Sequence, residues 1–240
     1  MKILVDTHTH TVLSGHAYST LMENVQYASS IGMEGIVNAD HGHMIEESAP
    51  EYILSVQRTI PAEISGVRIY RGAEANILDF GGSIDIREKY LKMTDFVIAS
   101  MHDITIDPGG REENLAGYEG ALKNPYVDII GHPGSPKYDM DREAFVKAVR
   151  RENKLVEVNN HSYMFRRGSA ENCGEIVRLC IKYDVRICVA SDAHFCMSIG
   201  GFGYALSILE ENAFPAELVA NRTRETMDAY LAERRARLSI

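Results

Sequence analysis

One unit recurs along this chain and limits what it can become. A short apolar run ends, in six cases of seven, in a histidine or a carboxylate, and a helical pattern follows. The runs are about 3–7, 35–39, 67–72, 95–100, 127–131, 154–158 and 186–191. Most are continuously apolar, as strands buried on both faces of a parallel sheet are. A helix is expected from Thr20, where Thr20 and Glu23 have capping-box spacing and Gly32 can close it. Further helical patterns lie near 51–60, 112–123, 141–152 and 170–183. Strand and helix in alternation predict an α/β fold with a parallel sheet. Seven units predict a (β/α)7 barrel, TIM-barrel-like but short of one strand. The stretch 214–240 reads as helical, and its several arginines are expected to face solvent. No linker, low-complexity tract or composition break interrupts residues 1–240, which are therefore read as one domain.

Charge and cysteine usage narrow the classes further. The formal net charge of −9 argues against a general nucleic-acid surface. No apolar run approaches the roughly 20 residues needed to cross a bilayer. Polar residues from Asp6 onward break up any signal-peptide pattern, so a cytoplasmic location is the expectation. Cys173, Cys180, Cys188 and Cys196 show no zinc-finger or Cys-x-x-Cys spacing and read as reduced thiols in or near the core. The oligomeric state is left open, a homo-oligomer included.

The chemistry sits just past each strand. In an extended chain, positions two apart point the same way, so His8 and His10 form a pincer. The other strands end at His41, Glu74, His102, His132, and Asp192 with His194, and His16 lies in the loop after the first strand. In α/β barrels the loops after the strands share one face and build the active site, so these groups should converge. Seven of the nine histidines are placed this way; His43 and His161 are not at strand ends and are left out as ligands. Imidazoles with a few carboxylates suit zinc first, then manganese or iron. Nine ligands are too many for one ion and imply two or three, with Glu74 able to bridge. Such a pocket would be net positive by about four charges with three divalent ions bound. An acidic protein would then attract a phosphate ester at that one place.

These residues also match a known pattern. His8-Thr9-His10-Thr11, Asp40-His41-Gly42, Gly72-Ala73-Glu74-Ala75-Asn76, Met101-His102, Gly131-His132-Pro133 and Ser191-Asp192-Ala193-His194 resemble the PHP (polymerase and histidinol phosphatase) family, and within it the YcdX-type phosphatases. Segments 16–20, 132–138 and 168–173 add to the likeness, which covers essentially the whole chain. The resemblance implies a distorted seven-stranded barrel with three zinc ions. It places His8, His10, Glu74 and Asp192 on one ion, Glu74, His102 and His132 on a second, and His16, His41 and His194 on a third.

The reaction expected is hydrolysis of a small phosphomonoester by a metal-activated hydroxide, with the metals neutralising charge on the phosphoryl oxygens. Asp192 is the candidate for moving protons. Asp6, and more weakly Asp40, are candidates for orienting a ligand imidazole. Arg166, Arg167 and Lys137 are candidate phosphate contacts, and Asn159 and Asn160 candidate donors to the ester. Two rival functions share the metals. A phosphodiesterase or nuclease would want a basic, aromatic-lined groove, and the chain has no such stripe and no tryptophan. A non-catalytic metal-binding regulator would want a closed site, whereas nine ligands on three ions leave vacancies.

Overall fold

The structure is a computed structural model that describes residues 1–239. Its strands are β1 (Val5–Thr9), β2 (Gly35–Asn38), β3 (Glu63–Ile64), β4 (Val67–Asn76), β5 (Phe96–Ser100), β6 (Ile129–Ile130), β7 (Leu155–Asn159) and β8 (Ile187–Ala190). All but β3 are parallel, each hydrogen-bonded to the next in chain order, and they curl into a nearly closed seven-stranded barrel. β3, unforeseen in the sequence, is a two-residue antiparallel start to β4. It turns through Ser65 and Gly66, whose φ values of 52° and 79° suit the twist of a tight hairpin.

The missing strand is replaced in two ways. At the mouth, β8 and β1 meet directly, the His10 N–H donating to the Ala193 carbonyl at 2.9 Å. Toward the floor, segment 219–222 lies in the gap. The Ala220 N–H donates to the Ile187 carbonyl and the Leu4 N–H to the Arg222 carbonyl, each at 2.9 Å. Between them the Asn221 side chain stands in for backbone. Its amide donates to the Val5 and Val189 carbonyls, both at 2.7 Å, and its oxygen accepts the Val189 N–H at 2.9 Å. Buried peptide groups at an open seam must find such partners.

The barrel interior is layered. Val5, Val37, Tyr70, Phe96, Ile98, Ile129, Leu155 and Cys188 fill its lower part. Met227, Tyr230 and Leu231, on the helix Arg224–Leu238, close it beneath. The alternate positions Ile36, Ile69, Val97, Ile130, Val156 and Val189 face outward into the helical layer. Because side chains alternate along a strand, the inward row of β4 runs Tyr70, Gly72, Glu74, Asn76, and that of β7 runs Leu155, Glu157, Asn159. Each row changes from apolar to polar as it rises toward the mouth.

Three expectations are corrected. The arginines of 214–240 do not all face water. Arg234 is buried against the equally buried Asp128, with Nε 2.7 Å from Oδ2, and its Nη1 donates to the Thr94 carbonyl at 2.9 Å. The region 51–60 is only one α turn, Ile53–Val56, followed by a 3-10 turn, Gln57–Thr59. Pro61 disfavours helical backbone at the residue before it, and Ile60 is extended there with ψ 128°. The stretch after β8, given no element from sequence, carries a helix at Gly203–Glu211, and a further short helix, Asn160–Phe165, follows β7 at once. The helix from Thr20 forms at Leu21–Ser30 with the capping box in place. All four cysteines are free thiols. Among the described residues, no helix is long and apolar enough to cross a membrane.

Candidate metal centre

β1 shows how the chain aims its ligands. Its pairing with β2 slips by one residue between Asp6 and Thr9. A bulge of this kind turns later side chains to the other face. Val5 therefore faces into the barrel, Asp6 faces out, and His8 and His10 face in again. Asp6 consequently does not orient an imidazole. Its Oδ1 accepts the Ser191 N–H at 3.1 Å and its Oδ2 the Gly200 N–H at 3.0 Å, which pins the loop after β8.

His8, His10, Glu74, His132 and Asp192 are buried, His41 is nearly so, His102 and His194 are half-buried, and His16 is exposed. Glu74 is central. Its Oε2 lies 3.1 Å from His8 Nε2, 3.6 Å from His10 Nε2 and 2.8 Å from His41 Nδ1. Its Oε1 lies 3.3 Å from His102 Nε2 and 3.1 Å from His132 Nε2. Asp192 Oδ1 reaches His10 Nε2 at 3.2 Å and His8 Nε2 at 3.6 Å. His194 and His16 approach each other Nε2 to Nε2 at 3.0 Å. Donor atoms of three overlapping trios, His8–His10–Glu74, His41–Glu74–His102 and His10–His41–His194, lie within 4.8 Å of one another. All nine sequence-derived positions meet at one mouth.

Two of the nine have left-handed backbone, His132 with φ 30° and Asp192 with φ 55°. Non-glycine residues adopt this region at a cost on the order of 1 kcal/mol, and such strain concentrates at functional sites. Gly131 must precede His132, because a Cβ there would lie 2.1 Å from Ser100 Oγ.

The outer nitrogens of three histidines are held from behind. His8 Nδ1 meets Glu157 Oε1 at 2.6 Å, His102 Nδ1 meets Asn76 Oδ1 at 2.7 Å, and His10 Nδ1 meets Ser14 Oγ at 3.0 Å. A carboxylate or amide oxygen accepts the Nδ1–H, which leaves the Nε2 lone pair directed inward. Ser14 in turn donates to Asp40 Oδ1 at 2.7 Å, so Asp40 acts on His10 through a hydroxyl and not directly. Glu157 and Ser14 were not singled out from sequence. For Glu157 the available signal was a carboxylate inside an apolar buried run.

Charge favours cation binding. Burial opposes ionisation of Glu74, but the imidazoles of His8, His41 and His102 hold its carboxyl well below the usual range. Asp192 is likewise held ionised, against its burial, by His8 and His10. Burial, helped by nearby imidazoles, pushes His10 well below its ordinary value and His16 to about 4. Burial and Arg166 take His132 to about 4. His8 goes the other way: burial pulls it down, but Glu74, Glu157 and Asp192 together raise it further.

The residues fit a metal. His8 Nε2, His10 Nε2, His41 Nδ1, Glu74 Oε2 and His132 Nδ1 are buried without a hydrogen-bond partner. Orphaned buried polar atoms are costly, and here three of the imidazole nitrogens, His8 Nε2, His10 Nε2 and His41 Nδ1, face the one carboxylate oxygen, Glu74 Oε2. Imidazole and carboxylate donors are those that zinc, manganese or iron accept. A PHP domain model matches residues 6–162, from the first strand past Glu74 and His132. The chain belongs to the PHP domain family. A protein of Acetivibrio thermocellus named "probable phosphatase" is 45% identical over 238 residues, 99% of each chain. One of the same name from Caldicellulosiruptor saccharolyticus is 43% identical over 96% of this chain and 97% of its own. Among solved structures, a histidinol phosphate phosphatase of Lactococcus lactis, complexed with zinc, L-histidinol and phosphate, is similar in fold. Its TM-score is 0.62 at 16% identity, over 88% of this PHP domain chain and 94% of that one.

The second group of expected residues divides. Arg166 reaches the centre, its Nη1 3.7 Å from Asp192 Oδ2. Lys137 and Arg167 line an adjoining cavity, with Lys137 paired to Asp103. Asn159 stays beside the centre, its amide donating to Glu157 Oε2 at 3.0 Å and Asp192 Oδ2 at 3.2 Å. Asn160 does not join it. Its oxygen accepts the Tyr204 and Ala205 N–H groups at 2.9 and 3.1 Å, capping the helix Gly203–Glu211, because the chain turns into a helix directly after Asn159. Conversely His161, set aside as a ligand, lines the metal cavity.

Proposed function

We propose that this chain is a metal-dependent phosphatase, acting as one domain over residues 1–240, that hydrolyses a small phosphomonoester at a three-metal centre. The observation that carries this is the set of three buried, unpartnered imidazole nitrogens around the equally unpartnered Glu74 Oε2, beside a cavity of about 590 Å³ that Glu74 and His41 line. Volumes of this size suit small molecules. His8, His10, Glu74 and Asp192 would hold one ion, Glu74, His102 and His132 a second, and His16, His41 and His194 a third. Zinc matches the donors first, with manganese and iron as substitutes. When bound, such ions supply Lewis acidity toward phosphoryl oxygens and lower the pKa of water toward about 7.

The chain's own residues do the rest. Glu157, Asn76 and Ser14 fix three imidazoles with their Nε2 lone pairs inward. Arg166 presents a guanidinium beside Asp192, where it can take two phosphate oxygens in parallel. Asp192 lines the cavity, and that position is what supports it as the group that would take a proton from the attacking water and return one to the leaving alkoxide oxygen. The net change is one P–O bond broken, one formed, and water split between alcohol and phosphate.

The test is metal analysis of protein purified without chelator, together with p-nitrophenyl phosphate turnover. More than one metal ion per chain and turnover that a chelator abolishes are expected. Near-zero metal, or full activity in both His10→Ala and Asp192→Ala, would overturn the reading.

A further inference from the structure

The mouth of the barrel is asymmetric. Beside the metal cavity lies a second one of about 410 Å³, and the two share His102, Asp103, His161 and Arg166 as a common wall. Lys137 and Arg167 line only this side cavity and not the metal cavity. With Arg166, whose guanidinium also meets Asp192 at 3.7 Å, they bring three fixed positive charges to a lining whose one carboxylate is Asp103. Asp103 is already engaged by Lys137, while Arg167 is exposed and pairs with no carboxylate among the described residues. Two further lining residues, Phe165 and His161, stack with ring centroids 4.0 Å apart and planes 12° from parallel and give the cavity a flat aromatic surface. Two exposed carboxylates, Glu46 and Glu47, line the metal cavity and not the side cavity.

We propose that the side cavity is the subsite for the leaving alcohol, and that this alcohol carries an anionic group of its own, a carboxylate or a second phosphate. The proposal rests on the phosphatase reading above. Arg166 can serve the scissile phosphate, since it borders both cavities. Lys137 and Arg167 border only the side cavity, so an anion they hold is a different group from the one that reacts. Glu46 and Glu47, which line only the metal cavity, disfavour that second anion there and so favour its placement in the side cavity. The stacked His161–Phe165 pair covers the carbon skeleton between the two anions.

The experiment is a matched series of alkyl phosphates with chains of about three to six carbons, a length range suited to a cavity of this size. The far end bears a hydroxyl, a carboxylate, a second phosphate or an ammonium group. With metal-loaded protein, kcat/KM for the better of the two anionic classes should exceed that of the hydroxyl class by about tenfold, chiefly through KM, and the ammonium class should rank last. The two anionic arms decide between carboxylate and phosphate. In the double variant Lys137→Ala/Arg167→Ala the ratio of anionic to hydroxyl kcat/KM should fall to about one, with a melting curve confirming the fold. Turnover of the hydroxyl class with no anionic preference, or a preference that survives in the double variant, overturns the subsite and leaves the phosphatase reading standing. No hydrolysis of any member overturns the phosphatase reading and the subsite with it.

Discussion

Glu157→Gln separates a metal site from a cluster of polar side chains that happen to meet. In the native protein one carboxylate does three things. Oε1 accepts from His8 Nδ1 at 2.6 Å, and Oε2 accepts the His132 N–H at 2.6 Å and the Asn159 amide at 3.0 Å. An amide has one oxygen. If it faces His8, its NH₂ confronts two donors. If it flips, the NH₂ faces His8 Nδ1, the proton moves to Nε2, and that proton points at Glu74 Oε2 in place of a lone pair. Each arrangement loses at least one charge-assisted hydrogen bond at a fully buried site, about 1.5–3 kcal/mol. At about 1.4 kcal/mol per tenfold, the ion held by His8 should bind roughly 10- to 100-fold more weakly, the range typical of outer-shell partners. The assay is zinc competition with a chromophoric chelator at pH 7.5, on metal-stripped protein whose circular dichroism shows it folded. A folded variant whose zinc affinities all stay within about twofold of the parent would refute the claim that Glu157 sets the tautomer of a ligand.

Three further outcomes are expected. Acidification from pH 7 to 4 should release metal as ligand imidazoles protonate, read by dialysis and elemental analysis; retention at pH 4 would contradict histidine ligation. In metal-free protein, His132 and His16 have folded pKa values near 4, below the ordinary 6.5, through burial. The unfolded chain therefore binds more protons between these values, so their contribution to stability falls as pH drops from about 6.5 toward 4. His8, raised by its three carboxylates, acts in a different window: its stabilising contribution is complete below about 6.5 and is lost as pH rises above that value; metal-free parent should thus lose stability relative to the His8→Gln variant as pH is raised from about 6.5, read in thermal melts, and an identical pH dependence of the two above 6.5 would refute the assignment. Arg234→Met leaves Asp128 with a reduced counter-charge in a buried setting, a loss of about 3 kcal/mol, which for this size lowers Tm by roughly 6–12 °C while turnover at 25 °C is kept; an unchanged Tm would refute it.

Much of this was legible because a barrel sends every strand end to one face. That rule needs only the positions of the apolar runs, and it placed His41, His102, His132 and His194 together without any knowledge of register. What failed was whatever depended on the face of a strand or helix. Asp6 and His8 are two apart and should share a face, but the slip in β1 reverses the parity between them. Glu157 sits inside a strand, where a sequence pattern reads a lone carboxylate as an interruption. Its function depends on the neighbouring strand end, which brings His132, and on β1, which brings His8. Arg234 is one arginine among several in a helix of low amphipathic contrast, and only the floor of the barrel and Asp128 on the approach to β6 distinguish it. Asn160 was misread for a simpler reason: its strand ends one residue earlier, and a helix begins where a loop was expected.

These failures share a cause with the site itself. A regular strand would alternate its side chains into and out of the barrel, and a regular loop would leave each strand end in relaxed backbone. The chain departs from regularity where donors must converge: the slip in β1 turns both His8 and His10 inward over Val5, and left-handed backbone at His132 and Asp192 aims two more groups at Glu74. Each departure costs free energy in the metal-free protein, as do the orphaned nitrogens and the buried carboxylates. An ion bound by those donors offsets these costs together, because it binds the folded arrangement and not the scattered ligands of the unfolded chain. Loading with zinc should therefore raise Tm by more than the removal of any single strain could. Changing Asp192 to glycine, which relieves its left-handed backbone but deletes its carboxylate, should stabilise the metal-free form and remove most of the zinc-induced shift. If that shift survives the change, the strain at Asp192 is unrelated to metal binding.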